Sequence, residues 1–288
     1  MAAGGFRERL AEAVAARRSS IVLGLDPDPR RVWPEALEAA GGARGTAPSP
    51  AAAAADVVVA HCAALIAAAG PACVAVKPQV ACFERLGAPG WAALERVVAA
   101  ARAAGLLVLA DAKRGDIGVT AEAYAEGLLG PAPGLDADAL TVNPYLGEDA
   151  LEPFVRTGRG VFVLVRTSNP GAADLQDREL AGGGRLWEEV ARLVDRLDAN
   201  AVVGATAPQH LERARELMPR ATFLLPGVGA QGGRVEDLRA AFAPGPHGGL
   251  VTASRSIARA HEQHGGEPAA AAREEAERLR EAAWALCA

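Results

Sequence analysis

The segment Asp111-Ala-Lys-Arg-Gly-Asp116 sets two carboxylates around one ammonium. Opposite charges at this spacing favour the charged form of Lys113 and suit a general acid held beside a reacting carbon. Two plainer readings stay open. Asp116 is placed to cap a following helix within an ordinary ion-pair cluster, and Asp111 with Asp116 offers the oxygen ligands that Mg²⁺ takes. The lysine between them disfavours a metal.

Lysine usage sharpens the first reading. Of the 30 basic side chains only Lys77 and Lys113 are lysines, and the rest are arginines. Whatever favoured arginine elsewhere, these two positions kept a compact ammonium, a group that gives up a proton more readily than guanidinium. Chance survival on a solvated surface is the bland alternative.

A third segment, Pro226-Gly-Val-Gly-Ala-Gln-Gly-Gly233, contains a formal G-x-G-x-x-G match at residues 227–232. A dinucleotide fingerprint belongs to a β-α-β unit with an acidic residue about 20 positions on. Here the next strand ends in Ser254-Arg255-Ser256 instead. Backbone N–H groups of a glycine loop with one arginine better suit a monophosphate.

These groups must be positioned by the elements around them. Apolar runs at residues 21–25, 72–76, 106–110, 137–142, 160–165, 201–205, 222–225 and 250–253 read as strands. Helical patterns at 56–69, 91–104, 120–129, 186–197 and 208–217 alternate with them. Continuous apolar strands imply a parallel sheet covered by helices on its outer face. Eight repeated units point to an α/β fold, a single closed (β/α)8 TIM barrel, over a doubly wound open sheet. In such a barrel the C-terminal strand ends carry the site. In order they present Asp26, Lys77, then Asp111, Lys113 and Asp116, then Asn143, Ser168, the glycine loop and Arg255.

Bulk properties set limits. The 288 residues suit one barrel domain, with 41–55 expected as an inserted loop, 131–136 as another insertion, and 265–288 as a closing helix. A net charge of -5 argues against nucleic acid as partner. Cys62, Cys73, Cys82 and Cys287 show no C-x-x-C spacing, which suits reduced thiols in a cytoplasmic protein. The N-terminus, with Arg7, Glu8, Arg9 and Glu12, reads as an amphipathic helix unlike a signal peptide. No uninterrupted apolar run reaches about 18 residues, so no membrane span is expected. His61, His210, His261 and His264 do not coincide with strand ends, His247 falls in the loop before the eighth strand, and His261 and His264 read as solvated surface.

Taken together the motifs resemble the orotidine 5'-phosphate decarboxylase family. Asp111-x-Lys113-x-x-Asp116-Ile117 with Thr120 resembles its signature. Gly24-Leu-Asp26-Pro-Asp-Pro, Val76-Lys77-Pro-Gln79, Thr167-Ser-Asn-Pro-Gly171 and residues 226–233 resemble its longer bacterial subgroup. The likeness runs from about residue 20 to 260 in motif order. It implies decarboxylation of orotidine 5'-monophosphate to UMP without a cofactor or metal. Lys113 would protonate C6, Asp111 would sit against the substrate carboxylate, and Lys77 would hold Asp111 and the ribose. Asp26 would bind the ribose and Ser168 the base. Pro226, Gly229, Gln231, Gly232, Gly233 and Arg255 would hold the phosphate. Asp116, Ile117 and Thr120 would reach a neighbouring subunit's site, implying a homodimer.

Ala253-Ser254 stands before Arg255 where shorter relatives often have glycine, a departure that could shift the phosphate loop. The nearest alternative is a related barrel acting on sugar phosphates with Mg²⁺. Those enzymes carry an acidic ligand after the second strand, where this chain has Lys77. A non-catalytic nucleotide-binding barrel would need the glycine loop but not Lys113.

Overall fold

The computed structural model describes residues 5–44, 47–229 and 231–287. Strands β1 (Ile21–Leu25), β2 (Ala75–Pro78), β3 (Leu107–Arg114), β4 (Ala139–Val142), β5 (Gly160–Arg166), β6 (Asn200–Val203), β7 (Phe223–Leu225) and β8 (Gly249–Ala253) close one parallel barrel in chain order. The register runs from Val22 opposite Ala75 around to Ile21 opposite Val251. The expected closed barrel is thus the observed one.

Period-2 alternation divides each strand between two cores. Ile21, Leu23 and Leu25 face outward and pack under the helices. Val22, Val74, Leu109, Phe162, Val202, Leu224 and Leu250 fill the barrel interior. The helix Phe6–Arg17 joins that inner cluster through Phe6, Leu10 and Val14, and so closes the N-terminal end of the barrel. Phe6 meets Phe162 edge-on with ring centroids 6.0 Å apart, over the spot where Gly160 has no side chain. Burying each of these three apolar side chains is worth about 1.5–3 kcal/mol. Arg17 pins the same helix by donating to the carbonyls of Gly70, Cys73, Ala104 and Gly105 ahead of β2 and β3.

Two expectations need correction, the loop at 41–55 and the solvated His261. Residues 41–55 are not a loop throughout: one helix runs Pro34–Arg44 and the next starts at Pro50. Positions 45 and 46 lie outside the described residues. Ser49 caps the second helix by accepting from the Ala52 N–H, and Pro50 stands at its first turn, where a missing N–H costs nothing. Alanine is the best helix former, so the Ala-rich run from residue 51 continues as helix.

The helix Pro50–Ala69, extended to Ala72 by a 3-10 turn, is by length and composition apolar enough to cross a membrane. Asp56 and His61 break the strict apolar run, which hid it in the sequence. Its buried Val58, Cys62, Leu65 and Ile66 pack toward the barrel, among the helices Pro34–Arg44, Ala88–Ala103 and Pro268–Trp284. The last of these is the expected closing helix.

His261 is also not simple surface: its Nδ1 is buried and without a partner, whereas His264 is exposed. His61 is buried, accepts the Trp33 N–H at Nδ1, and meets the Trp33 ring edge-on at 5.4 Å. Burial, and secondarily the nearby His261, lowers its pKa to about 4. The four cysteines are free thiols, Cys62 and Cys73 buried.

Candidate active site

A cavity of about 460 Å³ opens at the C-terminal mouth of the barrel. Leu164, Val202 and Leu224, from the inner core, line it below, and Asp26, Lys77, Asp111, Lys113 and Thr141 line one side. Ser168, Pro226, Gln231 and Arg255 line it as well.

β3 supplies the centre. Leu107, Leu109, Asp111 and Lys113 share its inward face by alternation, so the apolar core passes directly into the charged groups. Asp111 and Lys113 therefore sit within the strand, not after it as the sequence suggested. The β3–β4 register shifts between Ala110 and Arg114, and Lys113 adopts φ +49°. Left-handed backbone at a residue with a side chain is costly and persists only where surroundings enforce it. Arg114 leaves the cavity, pairing with Glu84 and lying over the Tyr124 ring.

Asp111 is held from four sides. Lys77 Nζ donates to Oδ2 at 2.6 Å and Gln79 Nε2 to the same oxygen at 3.1 Å. Lys113 Nζ donates to Oδ1 at 2.6 Å and the Thr141 hydroxyl at 2.9 Å. The side chains of Lys77 and Asp111 are only 7% and 8% exposed, whereas Lys113 is 46% exposed. Burial by itself pushes the Asp111 pKa up, but the two lysine charges and their hydrogen bonds outweigh it and hold the carboxyl well below the usual range. Burial likewise works against the Lys77 charge, and Asp111 with Asp26 reverses it, leaving the pKa raised.

Asp26, just past β1, has Oδ1 4.0 Å from Lys77 Nζ and accepts a 2.6 Å hydrogen bond at Oδ2 from the Ser254 hydroxyl. That approach requires glycine in β1: a Cβ on Gly24 would lie 2.6 Å from Ser254 Cβ. A row of alternating charge, Asp26, Lys77, Asp111, Lys113, thus crosses one side of the cavity.

On the β5 side, Arg166 pairs with Asp177 through two 2.9 Å hydrogen bonds, and the Gln176 side chain accepts the Thr167 N–H. These contacts set the loop that presents Ser168. After β7, Pro226, Gly227, Val228 and Gln231 line the cavity, but the amides of Gly229, Gly232 and Gly233 do not face it as expected. Gly229 N–H donates to Gly233, Gly232 to Gly229, and Gly233 to Gly227. Those donors hold the loop's own turn, and Ala230 lies outside the described residues. Arg255, exposed at the mouth, makes no ion pair among the described residues.

The remaining expected residues stand apart. Asp116 accepts the Ile117 N–H at 2.8 Å and forms no ion pair with Lys113 within this chain. Nor does its side chain cap the helix Gly118–Leu129, whose N-cap is Ile117. Ile117 and Thr120 are exposed outside the cavity, as is Asn143. Among the described residues, no group of three or more His, Cys, Asp or Glu could hold a metal ion.

Three contributors had no assigned role in the sequence: Gln79, Thr141 and the hydroxyl of Ser254. A lone threonine among the apolar residues of β4 was the available signal for Thr141.

The sequence matches the orotidine 5'-phosphate decarboxylase / HUMPS family over residues 19–274. It is 44% identical over 284 residues to the orotidine 5'-phosphate decarboxylase of Roseiflexus sp. (strain RS-1), covering 96% of both chains. The Deinococcus radiodurans enzyme of the same name is 49% identical over 227 residues, covering 74% of this chain and 80% of that one. Among solved structures, Leishmania donovani OMP decarboxylase superposes with a TM-score of 0.75 at 35% identity, covering 96% of this chain and 99% of the other.

Proposed function

Because the chain belongs to the orotidine 5'-phosphate decarboxylase / HUMPS family, we propose that its catalytic machinery is the charged row at the barrel mouth, with Lys113 as proton donor. The chain is a carbon–carbon lyase that decarboxylates orotidine 5'-monophosphate to UMP in pyrimidine biosynthesis. The sugar-phosphate branch that shares the family description is not favoured, since the similar curated relatives are orotidine 5'-phosphate decarboxylases.

The observation that carries the assignment is the shared carboxylate: Lys77 and Lys113 take opposite oxygens of Asp111. Breaking the C6–carboxylate bond releases carbon dioxide and leaves its electron pair on C6. The Lys113 ammonium stabilises that pair and then transfers a proton to it, becoming a neutral amine that solvent reprotonates. Asp111, kept ionised by its partners, faces the substrate carboxylate, while Lys77 fixes Asp111 and reaches toward the ribose with Asp26. The charges are in place before the reaction, so no reorganisation is needed as the carbanion forms. Enzyme accelerations reach about 10¹⁷-fold, or roughly 23 kcal/mol. Two ammoniums do not supply that alone, and phosphate binding by Gln231 and Arg255 adds orientation. Ser168 contacts the base. Gly229, Gly232 and Gly233 then act by shaping the loop that carries Gln231. This chemistry requires neither cofactor nor metal.

The site is completed by a second subunit. Ile117, Val119, Tyr145 and Leu146 form exposed apolar surface after β3 and β4, the side on which Asp116 and Thr120 also lie. Exposed apolar groups of this kind mark an interaction surface, and a homodimer joined there would bring Asp116, Ile117 and Thr120 to the partner's cavity. The full chain forms one domain of the longer subgroup and works in the cytoplasm.

The test is turnover of orotidine 5'-monophosphate, followed by loss of absorbance, with EDTA present. Lys113→Ala is expected to abolish turnover and leave UMP binding largely intact. Retained turnover in that variant, or a requirement for added Mg²⁺, overturns the assignment.

A further inference from the structure

We propose that Thr141 is a positioning residue that locks the direction of the Lys113 ammonium. This rests on the assignment of Lys113 as proton donor. Lys113 combines two properties that work against precision: left-handed backbone and a long, half-exposed side chain. A flexible four-carbon stem samples many rotamers unless both of its ends are fixed.

The Thr141 hydroxyl fixes both. Its oxygen accepts the Lys113 backbone N–H at 3.0 Å, and its hydrogen goes to Asp111 Oδ1 at 2.9 Å. The Lys113 ammonium donates to that same Oδ1 at 2.6 Å, so amide, hydroxyl, carboxylate and ammonium close a ring. A hydroxyl has a single proton. With the Lys113 amide on its lone pair, and Asp111 ionised and so without a proton of its own to donate, the hydroxyl proton goes to the carboxylate. Thr141 is 1% exposed, which keeps water from substituting for either bond. The amide bond holds the strained turn at one end of the lysine, and the oriented carboxylate holds its tip at the other.

A purely packing role in β4 predicts a different outcome, because valine has the shape of threonine without the hydroxyl. For Thr141→Val we expect kcat to fall about 10- to 100-fold, as for a reacting group displaced by a fraction of an ångström to about 1 Å. KM and UMP affinity should stay within about 3-fold, since the hydroxyl acts through the donor's aim and not on nucleotide binding. Thr141→Ser restores the hydroxyl and should return kcat to within about 3-fold of the parent. Thr141→Cys, a weak donor of similar size, gives a second variant should valine fail to fold, with kcat expected between the two.

A Thr141→Val enzyme with unchanged kcat overturns the inference, as does a Thr141→Ser enzyme as slow as the valine variant. If Lys113→Ala keeps turning over, the parent assignment fails. If Lys113→Ala is inactive while Thr141→Val is normal, only the role of Thr141 fails.

Discussion

Ser254 donates a 2.6 Å hydrogen bond to Asp26, although the two residues stand at opposite ends of the barrel sequence. The contact closes the seam between β1 and β8 at the cavity rim and joins the carboxylate proposed to bind the ribose to the residue just before Arg255. Removing the hydroxyl by Ser254→Ala should weaken substrate binding by about 1 kcal/mol, roughly a five-fold rise in KM, with little change in kcat. Gly24→Ala should do more, because the new methyl lands on Ser254 itself. Steady-state kinetics of both variants check the pair. An effect confined to kcat in Ser254→Ala would remove the coupling.

The buried pair of Lys77 and Asp111 should be more costly to break than to delete. Asp111→Ala strands an ammonium that is nearly inaccessible to water, at an expected loss of about 3–5 kcal/mol of folding stability. Replacing both residues with apolar ones of similar size should recover much of that loss while leaving the enzyme inactive. Urea unfolding of the single and double variants measures the difference. Because the Asp111 pKa is depressed, its contribution is present above the unfolded carboxyl value of about 4 and fades as pH falls below it.

His61 should make stability pH-dependent in a milder range. Its pKa is lowered to about 4 in the folded protein, and as acceptor of the Trp33 N–H it must be neutral. Between about pH 6.5 and 4 the unfolded chain binds the extra proton, so stability falls with pH across that window, by up to roughly 3 kcal/mol. His61→Asn keeps an acceptor but does not titrate. Melting curves at pH 7.5 and 5.0 should show a smaller loss in the variant than in the parent, and equal losses would refute the role.

The proposed dimer gives a mixing experiment. Lys113→Ala and Asp116→Ala chains should each be nearly inactive. In a heterodimer one cavity receives Lys113 from one chain and Asp116 from the other, so random exchange should restore roughly a quarter of parental activity. No recovery after confirmed subunit exchange would show that Asp116 does not serve the partner's site. Val119→Glu should weaken the association itself, read by sedimentation.

The sequence disclosed the barrel because the strands are for the most part buried on both faces and so contain short apolar runs; β1 matched residue for residue. Strand ends were harder. At β2 the apolar run begins before the strand does, since Gly70–Ala72 forms a 3-10 turn. Lys77, Asp111 and Lys113 were legible because charge is rare at strand ends that otherwise feed a core. Thr141 was not, because a hydroxyl in an apolar strand has no visible partner until β3 is laid beside β4. The positive φ of Lys113 has no signature in residue type, and the glycine loop looked like a cradle of free amides although its own carbonyls take three of them.

The helix Phe6–Arg17 and the inner core above it fill the barrel at the end away from the cavity. With Lys113 as the proposed donor, nucleotide, departing gas and the proton that recharges the amine would share the upper rim, so an obstruction there should stop every exchange at once.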